Sequence, residues 1–181
     1  MRVIAGKARG KTLGTPRGQA TRPTADRVKE AMFSIIQFDL PGAKVLDLFG
    51  GTGQLGIEAL SRGAESAVFV DERLDACTLI KENLSKTGLS LQAKVIRSDY
   101  AAYLRTCKEK FDIILLDPPY AELFLENSLN LITEIDILQS GGIIVTERPL
   151  SKTELWDFSG FSRSKDYKYG NTLLSIYRKD S

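Results

Sequence analysis

A chain of 181 residues with 43% hydrophobic and 27% charged side chains has the make-up of a soluble globular domain, long enough to bury about 70% of the surface that its unfolded form exposes. No apolar run approaches the roughly 20 residues of a membrane helix, and MRVIAGKARG lacks the apolar core of a secretory signal, so a cytoplasmic location without a membrane partner is expected. Two cysteines and no histidine argue against a disulfide scaffold or a metal site, and they leave chemistry to carboxylates, amides and backbone groups.

The net charge of +2 is unevenly spread. Residues 1–29 hold eight basic side chains against one acid, a local +7, and the rest of the chain holds 17 basic and 22 acidic, or −5. A basic arm on a mildly acidic body suits a segment that meets a polyanion. Within that arm, residues 1–23, RVIAGKARGKTL reads as a small β-hairpin turning at Gly6 or Gly10 with its basic residues exposed. A leading helix is expected in residues 24–40. Thr24 or Asp26 can cap it, Val28, Met32, Ile35 and Ile36 form its apolar stripe, and Pro41-Gly42 end it.

From residue 43 to 181, β-rich runs alternate with helical stretches. The strand candidates are residues 44–49, 66–71, 93–98, 111–117 and 142–147; Leu55, Ala59 and Leu60, then Leu74, Cys77, Ile80 and Leu84, mark helix faces between them. This alternation predicts an α/β fold with a mostly parallel sheet covered on both faces. Residues 160–168 and 171–179, separated by Tyr169 and Gly170, predict a closing antiparallel hairpin. The sixth parallel strand of a dinucleotide-binding fold would stand there instead. The expected organisation is one domain, and nothing demands more than a monomer.

Ligands of such sheets bind beyond the carboxyl ends of the strands, and acids cluster there: Asp47, Asp71, Asp99 and Asp117. After Asp47, Gly51, Gly53 and Gly56 fit G-x-G-x-x-G, the dinucleotide fingerprint. A pyrophosphate would be repelled by Asp47, whereas the ammonium of S-adenosylmethionine would be attracted. Asp71 suits ribose hydroxyls in either cofactor, and Asp99 suits an adenine amino group. DPPY, residues 117–120, is expected by chance in about a few chains per thousand of this length. Its prolines give up N–H groups and leave carbonyl acceptors, Asp117 adds another acceptor, and Tyr120 offers a flat face. Such a turn suits a planar amine on an sp² carbon, a weak nucleophile that is activated by orientation and needs no covalent intermediate.

VLDLFGGTG, FVDERLDA, RSDY and FDIILLDPPY resemble the Rossmann-like S-adenosylmethionine-dependent amino-methyltransferases. RVIAGKARGKTL and TRPTADRVKEAMFSII narrow the likeness to the bacterial RsmD-type 16S ribosomal RNA (guanine-N2)-methyltransferases. The resemblance implies a seven-stranded sheet with a C-terminal antiparallel hairpin, and methylation of the 2-amino group of one guanine in small-subunit ribosomal RNA or in the subunit itself. It implies a cofactor site of Asp47, Phe49, Gly51, Gly53, Asp71, Ser98, Asp99 and Tyr100. The catalytic motif is Asp117, Pro118, Pro119 and Tyr120. RNA contacts would come from Arg2, Lys7, Arg9, Lys11, Arg22 and Arg27, with no metal. Methylation of another RNA or DNA base, or of a protein glutamine, shares the DPPY chemistry, but the chain has no room for a DNA-recognition region and a glutamine enzyme gains nothing from the basic arm. A nicotinamide oxidoreductase leaves Asp47 and DPPY unexplained.

Overall fold

The computed structural model describes residues 1–16, 23–119, 123–150, 158–163 and 166–180, with no side chains described for 23–25. Arg22 and Tyr120 lie outside the described residues. Helix α1 (Pro23–Ile35) precedes β1 (Lys44–Asp47), α2 (Gln54–Ser61), β2 (Ser66–Asp71), α3 (Leu74–Thr87), β3 (Ala93–Arg97), α4 (Tyr100–Thr106), β4 (Phe111–Leu116), α5 (Phe124–Ile135) and β5 (Leu138–Pro149). The chain then closes with β6 (Phe161–Arg163), β7 (Tyr167–Tyr169) and β8 (Thr172–Lys179).

The sheet runs β3-β2-β1-β4-β5-β8-β6, with β7 also on β8. Strands β1 to β5 pair in parallel, and β8 runs antiparallel to β5, β6 and β7. The expected hairpin forms at Gly170, and its first arm arrives as two short segments, β6 and β7, so the sheet has eight strands by segment. Central strands buried on both faces read as unbroken apolar runs, as Ile113–Leu116 of β4 does. Alternate residues divide between two cores. Val45, Ile113 and Leu115 face α1, α2 and α3; Leu46, Ile114 and Leu116 face α4 and α5.

Helix α1 stops at Ile35 rather than running on toward residue 40, and the residues after it form a turn closed by Asp39 N–H donating to the Ile36 carbonyl at 2.9 Å. Val28, Met32, Phe33 and Ile36 are buried, each worth roughly 2 kcal/mol of apolar burial, while Phe38 stands exposed. Leu74, expected on the buried stripe of α3, is the helix's first residue and is 62% exposed. Gly56 is small by necessity, since a Cβ there would sit 2.3 Å from the Phe69 ring.

The basic arm is stitched onto α2. Its hairpin reduces to one antiparallel bridge, Arg2 with Thr12, and its apolar residues Val3, Ala8 and Leu13 enter the same core as α1 and α2. Glu58, fully buried on α2, accepts the Ile4 and Ala5 N–H groups at 2.8 and 3.0 Å and pairs with Arg62 at 2.8 Å and Lys29 at 3.9 Å. Lys29 Nζ also donates to the Arg2 carbonyl at 2.7 Å. Removing a buried carboxylate strands its partners. Glu58→Ala should therefore lower the unfolding free energy in urea by about 3 kcal/mol, with the Ile4 and Ala5 amides among the first to lose hydrogen-exchange protection.

Candidate active site

Strand order reverses between β1 and β4, and a cavity of about 600 Å³ opens above that point. Its volume is ordinary for a small-molecule site. Phe49 and Gly51 come from the loop after β1, Asp71 from the end of β2, and Ser98, Asp99 and Tyr100 from the turn between β3 and α4. Asp117, Pro118 and Pro119 enter from the end of β4. Residues far apart in the chain thus meet because every parallel strand ends at the same side of the sheet.

Local hydrogen bonds hold this wall. Gly50 N–H donates to the Val70 carbonyl at 2.8 Å, and Asp71 accepts the Gly51 and Arg73 N–H groups at 2.9 and 3.0 Å. Gly51 adopts φ 55°, left-handed backbone that favours glycine. Asp99 caps α4, one carboxylate oxygen accepting from both Ala101 and Ala102 at 3.0 Å, so its second oxygen is left for a ligand. Phe49, Tyr100 and Phe124 form an aromatic cluster with ring centroids 5.4 to 6.2 Å apart.

Two expected cofactor residues lie behind the cavity wall rather than on it. Asp47 is 1% exposed and lies beneath the loop, accepting the Gly56 N–H at 3.0 Å. It thereby anchors the first turn of α2, whose N-cap, Gly53, has no side chain to offer. Gly53 packs on Ile57 and Ile80, 3.2 Å from where a Cβ would stand, at a left-handed φ of 78° that favours glycine. The structure places both deeper than the strand-end reading did, because the loop folds over them.

Eight wall residues escaped the sequence reading, Lys29, Gln54, Phe124 and Glu147 among them. Glu147 ends β5 and answers to the same strand-end rule that singled out the aspartates. Gln54 Oε1 is buried and finds no hydrogen-bond donor among the described residues. An acceptor of that kind on a ligand wall suits an ammonium group. Five acids (Asp71, Glu72, Asp99, Asp117, Glu147) stand against two basic side chains (Lys29, Arg73) around the cavity, and those that ionise favour a positively charged ligand over a pyrophosphate. Acceptors for an ammonium and for ribose hydroxyls, beside an aromatic cluster for a base, fit S-adenosylmethionine.

Crowding of acids shows in their protonation. Burial, with Asp117 and Asp71 nearby, pushes the Asp47 carboxyl up to about 7 against the opposing Gly56 N–H. Burial pushes Asp117 up to about 6, and burial with the Asp117 charge pushes Glu147 up to about 8. Lys29 is lowered by burial, which outweighs the attraction of Glu58 and Asp26. A raised carboxyl binds its proton more tightly when folded, so ionising it costs stability as pH rises from about 4 through about 7. Asp47→Asn, which can still accept the Gly56 N–H, should gain stability over the wild type at pH 8. That gain should shrink toward pH 4 in paired urea melts.

Residues 1–178 match the family described as Conserved hypothetical protein 95. YlbH of Bacillus subtilis is 41% identical over 183 residues, covering 99% of each chain. Ribosomal RNA small subunit methyltransferase D of Haemophilus influenzae is 34% identical over 163 residues, covering 86% of this chain and 84% of the relative. Among solved structures, Escherichia coli yhhF superposes with a TM-score of 0.89 at 25% identity, covering 100% of this chain and 98% of its own. A match over nearly the whole length, joined to the cavity at the strand reversal, assigns the chain to the Conserved hypothetical protein 95 family, that of ribosomal RNA small subunit methyltransferase D.

Proposed function

We propose that this protein methylates ribosomal RNA of the small subunit, with S-adenosylmethionine as donor, at the 2-amino group of a guanine. The observation that carries the reading is the meeting of Asp117-Pro118-Pro119 with Asp71, Asp99 and the glycine loop around one cavity. The donor supplies an electrophilic methyl group on a positively charged sulfur. Gln54 and Asp71 would hold its ammonium and ribose, and Phe49 and Tyr100 would flank its base, with Asp99 reaching the adenine amine through its free oxygen. Asp117 and the proline turn take the N–H groups of the incoming amine and so aim its lone pair at the methyl group. Asp47 contributes from beneath by fixing the loop and adding negative charge. Tyr120 completes the motif as a stacking face.

The basic arm supports RNA as substrate. Arg2, Lys7, Arg9, Lys11 and Arg27 are exposed, while Lys29 turns inward to the cavity. Asn83 holds the end of the arm to the glycine loop, accepting from Gly14 N–H at 2.7 Å and donating to the Thr52 carbonyl at 2.9 Å. Phosphate contacts on the arm would therefore set a base near the cavity. A guanine must leave its stack to enter, which favours a looped or bulged target. The protein is proposed to act as a monomer in the cytoplasm, on RNA or an assembling subunit.

Incubation with labelled S-adenosylmethionine and small-subunit RNA or particles lacking the modification should yield N2-methylguanosine on nucleoside analysis. Asp117→Ala should cut the rate about 10²- to 10³-fold, while calorimetry shows S-adenosylhomocysteine still binding. NAD binding in place of S-adenosylhomocysteine, or full activity of the variant, would sink the assignment. The double charge reversal Arg9→Glu and Lys11→Glu should weaken RNA binding and reduce its salt slope by about 2 or more, leaving cofactor affinity unchanged; equal loss of both would point to misfolding.

A further inference from the structure

The end of β5 brings a second carboxylate to Asp117. Thr146 pairs with Leu116 in the parallel β4–β5 ladder, so Glu147 and Asp117 leave the sheet side by side on strands about 4.8 Å apart. Both line the cavity. Arg148, the cation next in sequence, is buried and engages Asp166 at 2.9 Å. Among the described residues Glu147 has no ion pair, and the Asp117 charge beside it is repulsive. A paired acceptor site of this kind gains most from a ligand that presents two donors side by side.

Guanine does so, since its N1–H adjoins the 2-amino group. The amino groups of adenine and cytosine adjoin a ring nitrogen with a bare lone pair, which the ionised form of the carboxyl opposes. We propose that Glu147 selects guanine, accepting the N1–H beside the 2-amino group that Asp117 addresses. This inference rests on the reading of the cavity as a guanine amino-methylation site. The N1–H bond also favours the ionised form of Glu147, against the neighbouring Asp117 charge. Specificity here combines a gained hydrogen bond with a repulsion aimed at the wrong bases.

Once the methylated nucleotide is mapped, small-subunit RNA can be ligated with guanine or with 2-aminopurine at that position. The analogue keeps the 2-amino group and replaces N1–H with a bare nitrogen. The wild-type chain should prefer guanine by about 10²-fold in kcat/KM. Glu147→Gln, whose amide can turn an N–H toward N1, should shrink that preference to within about tenfold, chiefly by losing rate on guanine. Glu147→Asp keeps the acceptors and should retain the preference at a lower rate. A structural role would lower both substrates together. Preference undiminished in Glu147→Gln, or absent from the wild type, overturns the inference while leaving guanine methylation standing. Failure of the wild type to methylate guanine N2 in any RNA instead removes the functional reading, and this inference with it. Should Glu147→Gln not fold, the wild-type ratio and Glu147→Asp decide: a preference lost in Glu147→Asp refutes the role of the carboxylate.

Discussion

The pairing of β1 with β4 in the middle of the sheet is the constraint on which the rest depends. Because β1 pairs with β2 on one side and β4 on the other, the connections to either side must cross opposite faces. Helices α2 and α3 lie over one core and α4 and α5 over the other. The crossovers diverge at β1, and the gap that they leave is the cavity. Had the next parallel strand continued beyond β3, the chain would form a similar sheet with no crevice at its centre.

The cavity is built at a cost in electrostatic free energy. Carboxylates from four strand ends converge there, and burial raises the protonation of Asp47, Asp117 and Glu147. Hydrogen bonds to the backbone partly offset this, as Gly56 N–H does for Asp47 and the Gly51 and Arg73 N–H groups do for Asp71. Such a site stores an affinity for positive charge. A plain packing solution would not place acids this close together.

The fold was largely legible in the sequence because its signals are local. All five parallel strand candidates fall on β1 to β5, the turn at Tyr169-Gly170 forms the closing hairpin, and Gly56 packs against the sheet as a small residue should. What the sequence hid depends on three-dimensional neighbours. Nothing in DLFGG shows that Asp47 faces the first turn of α2, or in TADRVKE that Lys29 turns inward to Glu58. Leu74 fits a helical stripe by spacing but starts its helix exposed, ahead of the turns that pack on the sheet. Glu147 obeyed a rule already applied to four other strand ends, and it was missed for lack of a motif around it.

The attachment of the arm has a consequence for the order in which the chain can assemble. The bonds from Ile4 and Ala5 to Glu58 span 54 and 53 residues, and that from Gly14 to Asn83 spans 69. Contacts so distant in sequence carry a loop-closure entropy that local helices and turns avoid. Val3, Ala8 and Leu13 share their core with residues of α2 and α3, far along the chain from them. The basic segment is thus fastened by partners that lie well after it in the sequence, so its seating depends on α2 and α3 rather than on its own turns.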